Sequence, residues 1–256
     1  MAAELKAVLF DIGDTIADLG EGRGSYEERL RLRVGRVYDA LLDRGVALAD
    51  RHEFCEALSV DSEEQYHAAL AQQLGLDIAT VMRRFLGAQG LPTDDDLVEA
   101  AAEAYCRGGP ELVAPLRTGA VETLAALKAR GVLLGAISNT IQPGRFLSTN
   151  MERWGLSAMF DARVYSSDVG VAKPHPRIFQ VALERLGVPA GNAVYVGDRL
   201  IPDVGGPQAV GMKAVLIRVD HRAEAHPSLV PDAIIDELPE LLDVLPRLFE
   251  AANQAI

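Results

Sequence analysis

The chain has 256 residues, 49% of them hydrophobic and 24% charged, which is enough to bury one large core or two modest ones and excludes a disordered or fibrous protein. Its 37 acidic residues against 25 basic ones give a formal charge of -12, so polyphosphate backbones and anionic membranes are repelled on average and no nucleic-acid partner is expected. Cys55 and Cys106 stand far apart and outside any metal-ligand spacing. No apolar run reaches the ~18 residues of a membrane span, and none near the start reaches signal-peptide length, so a cytoplasmic protein with no membrane partner is expected.

Residues 6–10 (KAVLF) form the first of several short, continuous apolar runs rich in β-branched residues. Runs of this kind suit strands buried on both faces, hence a parallel sheet. From about residue 26 to 105 the texture changes: Leu30, Val34, Val37 and Leu41 repeat at helical spacing with charges between them, and no strand is evident. Residues 119–130 then read as an amphipathic helix stopped by Gly131, followed by strand runs at 132–137 (VLLGAI) and, after a helix at 177–186 closed by Gly187, at 193–196 (AVYV), 213–217 (KAVLI) and 233–235 (AII). Alternating strands and helices predict an α/β fold with a Rossmann-like doubly wound parallel sheet core. The helical segment leaves this sheet after its first strand, so an inserted all-helical cap over the strand ends is expected. The expected core is residues 1–16 and 112–256, and the cap residues 17–111.

Candidate functional residues fall where such strands end. The first run ends in Asp11-Ile12-Gly13-Asp14, where a carboxylate can serve as nucleophile or metal ligand or simply cap a turn. The second ends in Ser138-Asn139-Thr140, small hydrogen-bonding side chains that suit an oxyanion or a turn. Lys173 precedes Pro174-His175-Pro176 at the start of a helix, where a compact cation suits an anion, and it is one of only four lysines against 21 arginines. His175 reads as a residue that starts the helix rather than as a base. A further run ends in Gly197-Asp198, with Asp203 five residues beyond, a carboxylate pair suited to Mg²⁺ or, for Asp203, to a helix N-cap.

In the order Asp, Ser, Lys, Asp, with a helical insertion after the first motif, the chain resembles the haloacid dehalogenase (HAD) superfamily, in the branch with an α-helical cap of the first type. Lys173-Pro174-His175-Pro176-Arg177-Ile178-Phe179 is similar to the family's KP-x-P-x-IF stretch, and Gly197-Asp198 through Gly205-Gly206 to Gly211 is similar to its last motif. The resemblance implies a Mg²⁺-dependent phosphatase acting on a small phosphorylated metabolite, as a monomer or homodimer. It makes Asp11 the nucleophile that becomes an aspartyl-phosphate, and Ser138, Asn139 and Lys173 the phosphate-binding set. The metal falls to Asp11, the backbone carbonyl of Gly13 and Asp198, with Asp203 supporting the metal or Lys173.

The family's first motif is usually D-x-D, and its second carboxylate is Gly13 here. Asp14, one residue later, reads as a loop-stabilising residue rather than a displaced acid. Glycine keeps the carbonyl ligand but supplies no general acid, an effect worth about 10²–10⁴-fold. A cap-lysine Schiff base, as in phosphonoacetaldehyde hydrolases, is excluded because no lysine lies between Lys6 and Lys128. A 2-haloacid dehalogenase-like hydrolase and a catalytically weak phosphate-binding scaffold stay open. Among the insertion's arginines (Arg23, Arg29, Arg31, Arg33, Arg36, Arg44, Arg51, Arg83 and Arg84), most are expected on a solvated face, and one that grips an acidic substrate is the alternative.

Overall fold

The computed structural model describes residues 4–20, 25–219, 226 and 228–250; Arg23 lies outside them. Six parallel strands form one sheet: β1 (Ala7–Phe10), β2 (Leu133–Ser138), β3 (Ala162–Tyr165), β4 (Ala193–Gly197), β5 (Lys213–Ile217) and β6 (Ala233–Ile235). Their spatial order is β3-β2-β1-β4-β5-β6. β1 therefore sits at the point where the winding reverses, paired with β2 on one side (Phe10 opposite Ala136) and with β4 on the other (Phe10 opposite Val196). Ligands of open α/β sheets bind in the crevice at the carboxyl ends of such strands.

Alternation along the strands serves both faces. Val8, Phe10, Leu134, Val194 and Val215 pack under α5 (Ala120–Ala129) and α10 (Leu241–Glu250). Ala7, Leu9, Val164 and Tyr195 pack under α8 (Pro176–Leu186) through Ile178, Phe179 and Ala182. Burial on both sides explains the unbroken apolar runs that mark these strands in the sequence. β3 is not among the expected strands: its four residues (ARVY) lie at the sheet edge, and the half-buried Arg163 interrupts the apolar signal.

Between β1 and α5 come α1 (Tyr26–Leu42), α2 (Arg51–Ala71), α3 (Ile78–Ala88) and α4 (Asp95–Cys106). Each starts at a side-chain N-cap, Ser25, Asp50, Asp77 and Asp94, that accepts a backbone N–H of its first turn. Leu30, Val34, Val37 and Leu41 point inward as their spacing predicts, and join Phe54, Leu58 and Phe85 in a core separate from the two at the sheet. Shorter elements complete the chain: α6 (Gly144–Arg153), α7 (Ser166–Val169), a π-helical turn at Leu200–Gly205 and α9 (Gly206–Ala209). Among the described residues no helix is long and apolar enough to cross a membrane.

Candidate active site

Asp11 follows β1, Ser138 ends β2 and Asp198 follows β4, so all three stand on one edge of the sheet beside its reversal point. Lys173 reaches the same place from further away, past β3 and α7, on the segment that opens α8. A cavity of about 760 Å³ above the strand ends is lined by Asp11, Gly13, Ser138, Lys173, Asp198 and Asp203. The expected site residues are thus brought together around one space, and Asn139 also lines it.

At its centre the buried Lys173 ammonium donates hydrogen bonds to Asp11 Oδ1 at 2.6 Å, to Asp203 Oδ1 at 2.7 Å and to the Tyr195 hydroxyl at 2.8 Å. All three N–H bonds are used, so the ammonium is fixed in direction as well as in place. Burial works against its charge, but the Asp11 and Asp203 carboxylates outweigh it and hold the pKa well above that of an ordinary lysine. Burial also dominates at Asp11, raising its pKa to about 6 against the opposing pull of Lys173. A buried carboxylate of this kind favours whatever further positive charge the cavity receives.

Asp203 lies inside the π-helical turn rather than at a helix N-cap. Its Oδ2 accepts the Arg199 N–H at 3.1 Å while Oδ1 holds Lys173. The approach requires Gly197, because a Cβ there would stand 2.4 Å from that of Asp203. Asn139 is likewise engaged: its Nδ2 donates to the Lys173 carbonyl at 3.0 Å and its Oδ1 accepts the Lys173 N–H at 2.8 Å. Its side chain thus holds the Lys173 backbone, and with one Nδ2 N–H engaged there, the other N–H is its remaining donor. Asp14 is buried at φ 57, and its Oδ1 accepts the Leu19 N–H at 2.9 Å, so it secures the loop as expected. His175 is the N-cap of α8, with Nδ1 accepting the Arg177 N–H at 3.1 Å.

Three oxygen donors, Asp11, Asp198 and Asp203, are buried and lie within 4.8 Å of one another. Carboxylates alone, few and close, are the donor set of a hard divalent cation such as Mg²⁺. Two residues of this site escaped the sequence reading. Tyr195 belongs to an apolar strand run, and its hydroxyl, which also donates to the Ile137 carbonyl at 3.2 Å, marks it only by being the polar tip in that run. Leu19 matters through position: its Cδ1 stands 2.7 Å from where a Cβ on Gly13 would be.

Residues 5–211 match the model of the haloacid dehalogenase-like hydrolases. The chain belongs to that family. Among haloacid dehalogenase-like relatives, it is 32% identical over 247 residues to the glyceraldehyde 3-phosphate phosphatase of Methanopyrus kandleri, covering 95% of this chain and 98% of the relative. The 2-haloacid dehalogenase of Pseudomonas syringae pv. Tomato DC3000 superposes with a TM-score of 0.69 at 26% identity, over 95% of this chain and 99% of the other. A HAD phosphatase from Thermococcus onnurineus superposes with a TM-score of 0.58 at 28% identity, over 94% and 98%. The α/β core is thus that of a haloacid dehalogenase-like hydrolase, wound as the strand order shows.

Proposed function

We propose that the protein is a Mg²⁺-dependent phosphatase of small phosphorylated metabolites that works through an aspartyl-phosphate on Asp11. The observation that carries this reading is the Lys173 ammonium held between Asp11 and Asp203 beside Asp198, a site in which positive charge can gather around a transferring phosphoryl group. A carboxylate oxygen of Asp11 attacks phosphorus as the bond to the leaving oxygen breaks. Ser138 donates its hydroxyl to the transferring oxygens and Lys173 offsets their charge, which is the main demand of phosphoryl transfer. Water then cleaves the acyl phosphate and restores Asp11. Asp11, Asp198 and the Gly13 carbonyl would hold Mg²⁺, supported by Asp203, and the bound ion would add charge compensation at the phosphoryl oxygens.

The relative named glyceraldehyde 3-phosphate phosphatase supports a phosphomonoester as the substrate class. Residues 17–111 act in this reading as a cap on a core of 1–16 and 112–256. Their contacts with the core support it: Ile78 N–H donates to the Ile141 carbonyl at 2.8 Å, and the Tyr66 hydroxyl donates to the Asn139 carbonyl at 3.0 Å.

The 2-haloacid dehalogenase neighbour favours a second reading, attack of Asp11 on carbon with loss of halide. The carboxylate cluster favours phosphoryl chemistry, since attack on carbon has no use for a divalent cation. A screen of para-nitrophenyl phosphate, sugar phosphates and phosphoacids decides between them. Phosphate release that is lost with chelator, restored by Mg²⁺ and abolished by Asp11→Asn is expected; halide release from a 2-haloacid that survives chelation would overturn the proposal.

A further inference from the structure

Behind Leu19 lies a second, smaller cavity of about 190 Å³. It shares Gly13, Leu19, Tyr66 and Ser138 with the first, so the two spaces adjoin at the site of phosphoryl transfer. Apolar side chains such as Leu30, Leu112, Leu147 and Trp154 make up much of its wall. Two arginines one helical turn apart on α1, Arg29 and Arg33, also line it, and they are only 5% and 8% exposed. In a chain with 37 acidic residues, no Asp or Glu among the described residues lines this space.

The two guanidinium groups are not equivalent. Arg33 is anchored: Nη1 donates to the Tyr105 carbonyl and to Gln142 Oε1, both at 2.9 Å, and the group lies over the Tyr105 ring. Arg29 makes one long bond, from Nη2 to the Leu19 carbonyl at 3.4 Å, and its Nη1 is buried with no acceptor. Burial, and after it the Arg33 charge, lowers the pKa of Arg29 from the usual arginine value; the Asp14 and Asp18 carboxylates pull the other way and offset this only in part. Buried arginines normally have an anionic or hydrogen-bonding partner, because an unpaired buried charge is costly.

We infer that this cavity receives a carboxylate at the far end of the substrate, bound by Arg29, while the phosphoryl end meets Asp11. The inference rests on the phosphatase reading and narrows it to phosphorylated carboxylic acids. A carboxylate fits better than a second phosphate for two reasons. Arg29 alone has a buried N–H without an acceptor to offer, which suits a small planar anion, and a largely apolar wall desolvates a dianion at far greater cost. Trp154, the single tryptophan of the chain, lines the same space and reports on its occupancy.

Phosphoglycolate and its uncharged carboxamide, tested as competitors of para-nitrophenyl phosphate hydrolysis, read the subsite directly. Wild type is expected to bind the acid at least about tenfold more tightly, the worth of a charged hydrogen bond in a buried site. Arg29→Gln is expected to erase the difference and Arg29→Lys to keep part of it. Equal Ki values for acid and amide in wild type would overturn the inference without any variant, as would a preference that survives in folded Arg29→Gln. If para-nitrophenyl phosphate is not hydrolysed at all, the phosphatase reading fails. Titration of Trp154 fluorescence with the acid and the amide then still reads the subsite: an acid-selective change supports it, and identical responses contradict it.

Discussion

At Gly13 the backbone is not in the left-handed region, so a side chain is allowed there and the obstacle is the tip of Leu19. In the proposed reaction, with no acid at this position, the leaving oxygen would depart unprotonated, and cleavage is expected to depend steeply on leaving-group acidity, aryl phosphates reacting well ahead of alkyl ones. Gly13→Asp combined with Leu19→Ala, which clears the space, is expected to raise alkyl phosphate turnover by about 10²-fold or more. Steady-state rates on a graded series of esters check this; a folded double variant with no gain would refute the defect. Tyr195→Phe removes one partner from Lys173 and the donor to the Ile137 carbonyl, so it is expected to cost about 1–2 kcal/mol of stability. It should also lower kcat more than it alters KM, because Lys173 rather than substrate loses its support. Asp11, Ser138, Lys173, Asp198 and Asp203 were legible as residues because charged or polar side chains after apolar runs stand out. Tyr195 and Leu19 were not, since one belongs to the strand pattern and the other acts only through where its tip lies.

The strands follow their sequence signals where the run is wholly apolar, as it is even in the edge strand β6 (AII) but not in β3, which Arg163 interrupts. β1, β2, β4 and β5 carry unbroken apolar runs and were readable, whereas β3 at the sheet edge was not. That edge is secured partly by Asp161, just before β3, whose carboxylate accepts the Leu134 N–H at 2.8 Å and the Lys128 ammonium at 2.8 Å. Burial opposes the Asp161 charge, but these donors prevail and its pKa is lowered. A carboxyl group with a lowered folded pKa adds stability above its unfolded value, about 3.9, and loses it as pH falls through the folded value. Asp161→Asn is therefore expected to lower Tm at neutral pH by a small amount, no more than about 1 kcal/mol in stability. Thermal unfolding of both proteins across pH should show that gap closing on acidification; a gap independent of pH would remove the ion pair from the account.

On the scale of the whole molecule, two bodies of packing meet at the site. The helices α1–α4 keep their own core, with Phe54 edge-on to both Tyr38 and Phe85 at ring separations of 5.4 and 5.3 Å. The loop between α2 and α3 approaches the Lys173 segment closely: Ala172 N–H donates to the Gln73 carbonyl at 2.9 Å, and a Cβ on Gly75 would stand 1.9 Å from the Ser166 carbonyl oxygen. Gly75→Val is expected to disturb the Lys173 segment and lower kcat/KM by about tenfold or more, while leaving the sheet intact by circular dichroism. The periodicity of α1 announced a helical insertion, but neither the docking of this loop nor the cavity around Arg29 was readable, because both depend on contacts between distant segments. The two bodies enclose the site of the chemistry proposed for Asp11, in which, without a base at Gly13, the acyl phosphate is expected to hydrolyse slowly and accumulate. Rapid acid quench during turnover of para-nitrophenyl phosphate, followed by peptide mass analysis, tests this most directly. Covalent phosphate on the peptide containing Asp11, formed with Mg²⁺ and absent with chelator, is the expected result; phosphate release with no label at Asp11 at any quench time would contradict the account.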